Sequence, residues 1–421
     1  MTTVEAAPRA TSTPVPAGRG RWRLLAYQRQ FSTALPIIIC ELTHARSRRL
    51  DLAWNTPAQL SFTVDGHDPE AALLLELATD VVAYRWDEPF GGDRPMFRGL
   101  IDHSEDQISE QSATVNFTCH DYFGLLGRRT VTQSTPWVIT GSDQDSIVYS
   151  LLQLAAGSAT SGTGTSFMPG SFLPLQWYVC NPDGSGRNVS GVLRDRTYAP
   201  GTVIGTAIDQ LAKVQGGFDY DVKPQGPSYQ YDLLRIFYPQ QGVARSDLTF
   251  VFGANVANLT RTVSSADYAN YVREIGNKAS ADPNAPQLFS ERWNTDANNV
   301  TVNPVGLFQT VNNASDVSIQ ATLDQRAAGD LAWSGLLTPT YTLGLRPNAY
   351  TYGNPNMGDT VPLYVVEGRL NVNTSVRVLG ISYAVGDDGQ EDVTLTVGRP
   401  PVTLAKILSA GQRDIDALAR R

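Results

Sequence analysis

Short runs in which apolar and polar residues alternate dominate both ends of the chain. Ala113, Val115, Phe117 and Cys119 line one side of such a run, and Val393, Leu395 and Val397 line one side of another. A period of two puts successive side chains on opposite faces of an extended backbone, so each run reads as a strand with one buried face. Turn chemistry separates the runs: Asp65-Gly66, the Gly91-Gly92-Asp93 loop and the Gly386–Asp392 stretch. Many short strands at near-regular spacing predict a β-barrel for residues 31–140 and a second for 251–400.

The period changes between 141 and 250. Ile147, Val148, Leu151 and Leu154 fall on one helical face behind a cap at Ser142 or Asp143, and Ile204, Ala207, Ile208 and Leu211 mark a helix over 202–214. Between them runs a long Gly-, Ser- and Thr-rich segment followed by Phe172, Trp177 and Tyr178. Such a segment reads either as a contact surface or as a loop packing its own aromatics. The runs "GFDYDV" and "YDLLRIFY" close this region as a hairpin. One more helix is expected near 316–336, inside the second β domain. The fold class is therefore mainly β with an α+β middle domain: two barrel-like domains flanking a mixed domain, then a C-terminal helix over 401–421. Residues 1–30, rich in Pro, Thr and Ala, read as a disordered arm. In the last segment Leu404, Leu408, Gly411, Ile415 and Leu418 follow spacings of 4, 3, 4 and 3, a heptad seam that would join chains, dock another protein or pack on its own barrel.

The two β regions echo one another. Phe97-Arg98-Gly99-Leu100 opens one hairpin and Val376-Arg377-Val378-Leu379 opens the other, and each ends in strict alternation. Arg98 and Arg377 are thus candidates for equivalent contacts, against the plainer reading of solvated strand arginines. The alternation assigns Cys119 to the buried face of its strand and His120 to the outer face.

Composition narrows the function. The formal charge is 33 − 41 = −8, which argues against a basic nucleic-acid footprint. Three cysteines, Cys40, Cys119 and Cys180, have neither disulfide nor zinc spacing. No apolar run reaches the roughly 18 residues of a membrane span, and the N-terminus lacks the apolar core of a signal peptide, so an unanchored protein made inside a cell is expected.

The order of "FRGLID…SATVNFTCHDYFGLL", "YAPGTVIGTAIDQLAKVQGGFDYDV", "MGDTVPLY" and "VRVLGISYAVGDDGQEDVTLTVG" resembles that of tail hub proteins of long-tailed bacteriophages, over roughly residues 30–400. An Ala-, Arg- and Thr-rich, Lys-poor composition is similar to that of phages of actinobacteria. The resemblance implies a homotrimer at the virion tail tip, assembled in the host cytoplasm. Its two barrels per chain would make a pseudo-hexameric ring between the tail tube, or distal tail protein, and a central fibre or spike. The ring would touch the end of the tape-measure protein and pass genomic DNA without specific binding. Assembly residues under this reading are Arg98, Arg377, Trp177, Tyr178, Leu404, Leu408, Ile415 and Leu418.

Catalytic chemistry finds little support. His44, His67, His103 and His120 form no metal motif, and no nucleophile elbow, P-loop or dinucleotide fingerprint occurs. The "GDDGQED" stretch lacks the order of a calcium loop and reads as a polar turn. No catalytic, cofactor or metal residue is assigned. Some hub proteins carry a C-terminal lytic module, and this chain ends soon after its second barrel, so none is expected. Two other functions stay open: a receptor- or glycan-binding module using Trp177 and Tyr178 as stacking platforms, and a cell-wall glycan hydrolase whose paired carboxylates meet only in the fold.

Overall fold

A computed structural model describes residues 21–398, apart from 30–34, 88–91, 158–172, 214–215, 227–228, 230, 267, 279–285, 295–305, 315–316, 318–319, 348 and 351–352. The C-terminal seam (Leu404, Leu408, Ile415, Leu418) and Phe172 lie outside these residues.

The first half contains β1 (Arg21–Gln28), β2 (Ile37–Glu41), β3 (Arg46–Ala53), β4 (Gln59–Asp65), β5 (Thr79–Asp87), β6 (Gly92–Ile108) and β7 (Ala113–Asp121). The middle domain follows: α1 (Tyr122–Leu126), β8 (Trp137–Asp143), α2 (Gln144–Ala155), β9 (Leu175–Cys180), β10 (Leu193–Tyr198), α3 (Ile204–Lys213), β11 (Asp219–Lys223) and β12 (Asp232–Phe237). The second half contains β13 (Phe250–Val251), β14 (Val256–Thr262), β15 (Tyr271–Lys278), β16 (Gln287–Trp293), β17 (Gln309–Asn313), α4 (Gln320–Ser334), β18 (Thr340–Leu345), β19 (Thr360–Glu367), β20 (Leu370–Val385) and β21 (Glu391–Gly398).

The hairpin that Phe97-Arg98-Gly99-Leu100 opens is β6–β7, and its alternation behaves as the period demands. Val115, Phe117 and Cys119 are buried, while Thr114, Asn116 and Thr118 between them stay partly exposed. Helix α2 starts where a cap allows it: the Asp143 carboxylate accepts the Asp145 N–H at 3.2 Å. Ile147, Val148, Leu151 and Leu154 then face Ile204, Ala207, Ile208 and Leu211 of α3 in a separate middle-domain core. β11 and β12 pair antiparallel, as the hairpin reading requires, and β9 adds to β12 in parallel.

Three domain assignments need correction. The first is the arm: Arg21–Gln28 is a strand held between β5 and β2, with Trp22, Leu24 and Ala26 in the main core. Both of its faces are buried, since Leu25 and Tyr27 join a small second cluster, so it shows no clean polar alternation. The second is the separation of the two β domains. β20 pairs with β3 over six residue pairs, Gly380↔Ala53 to Val385↔Arg48, and this seam joins both halves into one 13-stranded sheet. One core runs through both, with Trp22 and Tyr383 rings 5.4 Å apart across the seam. The third is the second β domain, which is interrupted. Between β14 and β18, strands β15–β17 form their own sheet, with α4 (the helix expected near 316–336) on one side.

The five-strand plan recurs. The order β3-β4-β7-β6-β5 in the first half matches β14-β18-β21-β20-β19 in the second, with the same chain order and every pairing antiparallel. The sequence echo falls on matching hairpins of this repeated unit, but two residues out of register: strand pairing sets Leu100, not Arg98, at the place of Arg377.

Candidate functional site: a polar sheet face and two arginine anchors

The side of the large sheet away from its core is a polar surface rich in hydroxyls. Residues paired across the strands form rows: Thr260–Thr342–Thr396–Gly380–Ala53, then Thr394–Ser382–Asp51–Gln59–His120, then Asp392–Ala384–Arg49–Ser61–Thr118. Its charges are largely paired. Arg49 grips Asp51 through two bonds of 2.8 and 3.0 Å, and the His120 imidazole lies 2.7 Å from Asp102. Thr63 donates to Asn116 at 2.7 Å. Hydroxyls and amides here offer no cluster of cations to hold phosphate.

The echoed arginines sit inside the chain rather than in solvent. Arg98 is 4 % exposed and Arg377 is 1 % exposed. Arg98 lies over the Tyr122 ring, donates to the carbonyl of Tyr229 at 3.0 Å and stands 3.6 Å from Asp232. It thereby ties the first half to the middle domain. Asp80, which accepts the Tyr122 hydroxyl at 2.7 Å, and Asp121 are buried nearby. Burial pushes Asp232 up to about 7, against the pull of Arg98, and pushes Asp121 up to about 7 as well. Asp80 is raised by burial in the same way.

Arg377 is the largest fully buried side chain among the described residues. It donates to the carbonyls of Gly358 at 3.1 Å and Gln241 at 2.8 Å, pairs with Asp219, and covers the Trp54 ring. Gly358 belongs to the second half, Gln241 and Asp219 to the middle domain, and Trp54 to the first half. One guanidinium therefore meets all three regions. The backbones cross so closely here that a Cβ on Gly242 would lie 2.0 Å from the Gly358 carbonyl carbon, and both glycines have positive φ (85° and 83°). Both arginines thus bind the middle domain, but from positions two residues apart in the repeat, since Leu100 and not Arg98 occupies the place of Arg377.

Trp177 and Tyr178 are successive residues of β9 and point to opposite faces. Trp177 packs on Tyr149 with ring centres 5.4 Å apart, while Tyr178 lies under Arg187 and donates to the Gly186 carbonyl at 3.0 Å. A cleft of about 270 Å³ passes both, also lined by Asp145 and Asn188, but the rings do not form one stacking surface.

The sequence reading missed Glu391. It closes the "GDDGQED" turn, whose Gly386 N–H donates to the Gln390 carbonyl at 2.9 Å. Its side chain is buried, accepting two bonds of 2.8 Å from Arg85 and one of 3.1 Å from Trp22. This ion pair locks the second half to the first beside the seam. Only the partner, 306 residues away, distinguishes Glu391 from a solvated turn residue. The thiols of Cys119 and Cys180 are buried and that of Cys40 is half-buried, and burial raises Cys40 and Cys180 to about 11. Among the described residues no three His, Cys, Asp or Glu side chains converge to hold a metal, and no helix is long and apolar enough to cross a membrane.

No protein-family model and no curated protein matches the sequence. Solved structures do match in fold. The 43 kDa tail protein of prophage MuSo2 from Shewanella oneidensis aligns at 11 % identity and a TM-score of 0.57, over 90 % of this chain and 99 % of that one. A tail protein from Neisseria meningitidis MC58 aligns at 12 % identity and a TM-score of 0.56, over 92 % and 99 %. This chain shares the fold of those two tail proteins over about nine-tenths of its length.

Proposed function

We propose that the chain is a structural hub of a phage tail tip, with assembly and gating as its mechanism and no chemistry of its own. Three copies place six similar half-sheets around one axis. That ring meets the tail tube or distal tail protein on one side and a central fibre or spike on the other, with the tape-measure protein ending against it. The polar sheet face forms the channel wall, where hydroxyls and paired charges let DNA pass without holding phosphate.

The observation that carries this reading is the repeated five-strand unit within a chain that has the fold of two phage tail proteins. A ring interface requires the same surface to recur, and a chain holding that surface twice supplies six positions from three copies. Native mass of the purified protein, followed by three-fold averaged imaging, tests it. A trimer with a central channel is expected. A protein that remains monomeric both alone and when mixed with its tube partner defeats the ring.

A further inference from the structure

Within the chain the two halves meet edge to edge, β20 against β3. The repeat makes β6 the counterpart of β20 and β14 the counterpart of β3. Neither the far end of β6 nor the outer side of β14 has a strand partner among the described residues.

Pairing partners fix which residues correspond. The buried triplet Val115, Phe117, Cys119 matches Val393, Leu395, Val397, so Thr118 corresponds to Thr396. Thr118 pairs with His103, and Thr396 with Gly380. Counting on, Glu105, Asp106, Gln107 and Ile108 correspond to Ser382, Tyr383, Ala384 and Val385. On the other strand, Ser61 pairs with Thr118 and Thr342 with Thr396, so Arg49, Leu50 and Asp51 correspond to Thr260, Arg261 and Thr262. The internal seam pairs Ser382 with Asp51, Tyr383 with Leu50, Ala384 with Arg49 and Val385 with Arg48.

From this correspondence we infer that the free edge of β6 in one copy pairs antiparallel with the free edge of β14 in a second copy, with Asp106 opposite Arg261. The same register sets Glu105 opposite Thr262, Gln107 opposite Thr260 and Ile108 opposite Leu259. Two features that were not used to build the register agree with it. Asp106 and Arg261 carry opposite charges, both exposed. Ile108 is 80 % exposed, an unusual cost for an isoleucine, and here it gains an apolar neighbour in the partly buried Leu259. The contact is head to tail, so repeating it closes a ring or continues as a filament. The inference rests on the ring reading and specifies the residues of its interface.

The test is a cysteine pair, Gln107→Cys with Thr260→Cys, oxidised in the full chain. Both positions are exposed, so folding is not at stake, and directly opposed residues of antiparallel strands lie within disulfide reach. Native mass of the unmodified protein is measured alongside. The expected result is a trimer in which the double variant becomes a covalent ring. Each single variant alone stays unlinked, and a mixture of the two single variants gives linked dimers. Asp106→Arg should weaken association on the order of tenfold, and adding Arg261→Asp in the same chain should restore it. A trimer whose cysteine pair stays unlinked overturns this edge pairing and leaves the ring standing. A protein that stays monomeric and unlinked, both alone and when mixed with its tube partner, overturns both.

Discussion

The two half-sheets share a strand plan but differ in the electrostatics of their anchors. Arg98 is shared between Asp80 and Asp232, both held above the ordinary carboxylate range by burial, as is Asp121 beside Asp232. Arg377 faces one carboxylate, Asp219, and spends its remaining hydrogen bonds on the carbonyls of Gly358 and Gln241. Two arginine anchors therefore make two kinds of junction. One holds excess acid that takes up protons, and the other is a matched pair enclosed by neutral acceptors.

The largest expected effect is at the matched anchor. Arg377→Ala leaves Asp219 buried without its cation and should cost about 3–5 kcal/mol, read as loss of soluble protein or a fall in denaturant midpoint. Arg98→Ala should cost less at acidic pH, because the abandoned carboxylates take up protons, and its penalty should grow as pH rises. If both variants lose the same stability at every pH, the distinction between the junctions fails.

The next effect is the pH dependence itself. A carboxyl whose folded value is about 7, against about 4 when unfolded, favours the folded state most when protonated. The native state then binds more protons than the unfolded one, so this contribution is complete below about pH 4 and is lost as pH rises through about 7. Asp232→Asn should flatten that decline in melting temperature between about pH 4 and pH 8. An unchanged slope would assign the titration to another group. The smallest effect belongs to the exposed Arg49–Asp51 pair, where Arg49→Ser should shift stability by no more than about 0.5 kcal/mol.

Much of this architecture was legible because its signals are local. The cap at Asp143, the faces of α2 and α3 and the alternation of β7 and β21 follow from spacing within a dozen residues. What was not legible depends on distant partners. β1 looked like part of an arm because its two faces meet two different cores, which erases the alternation that marks a strand. The seam joins β3 to β20, and nothing near either strand announces the other. Arg98 and Arg377 were found through the echo, yet a strand arginine looks the same whether its guanidinium meets water or a buried carboxylate. Here the matching carboxylates, Asp232 and Asp219, come from the middle domain. The insertion carrying β15–β17 was absorbed into the second half because its strands have the same period as those around it.

The three cysteines have a consequence for durability. At neutral pH a thiol held at about 11 is ionised in roughly one molecule in ten thousand, and oxidation proceeds through the thiolate. Burial thus makes Cys40 and Cys180 chemically quiet, and Cys119, wholly enclosed, is raised by burial in the same direction. None of the three thiols is in a disulfide, so the fold is held together without any bond that an oxidant must make or a reductant can break.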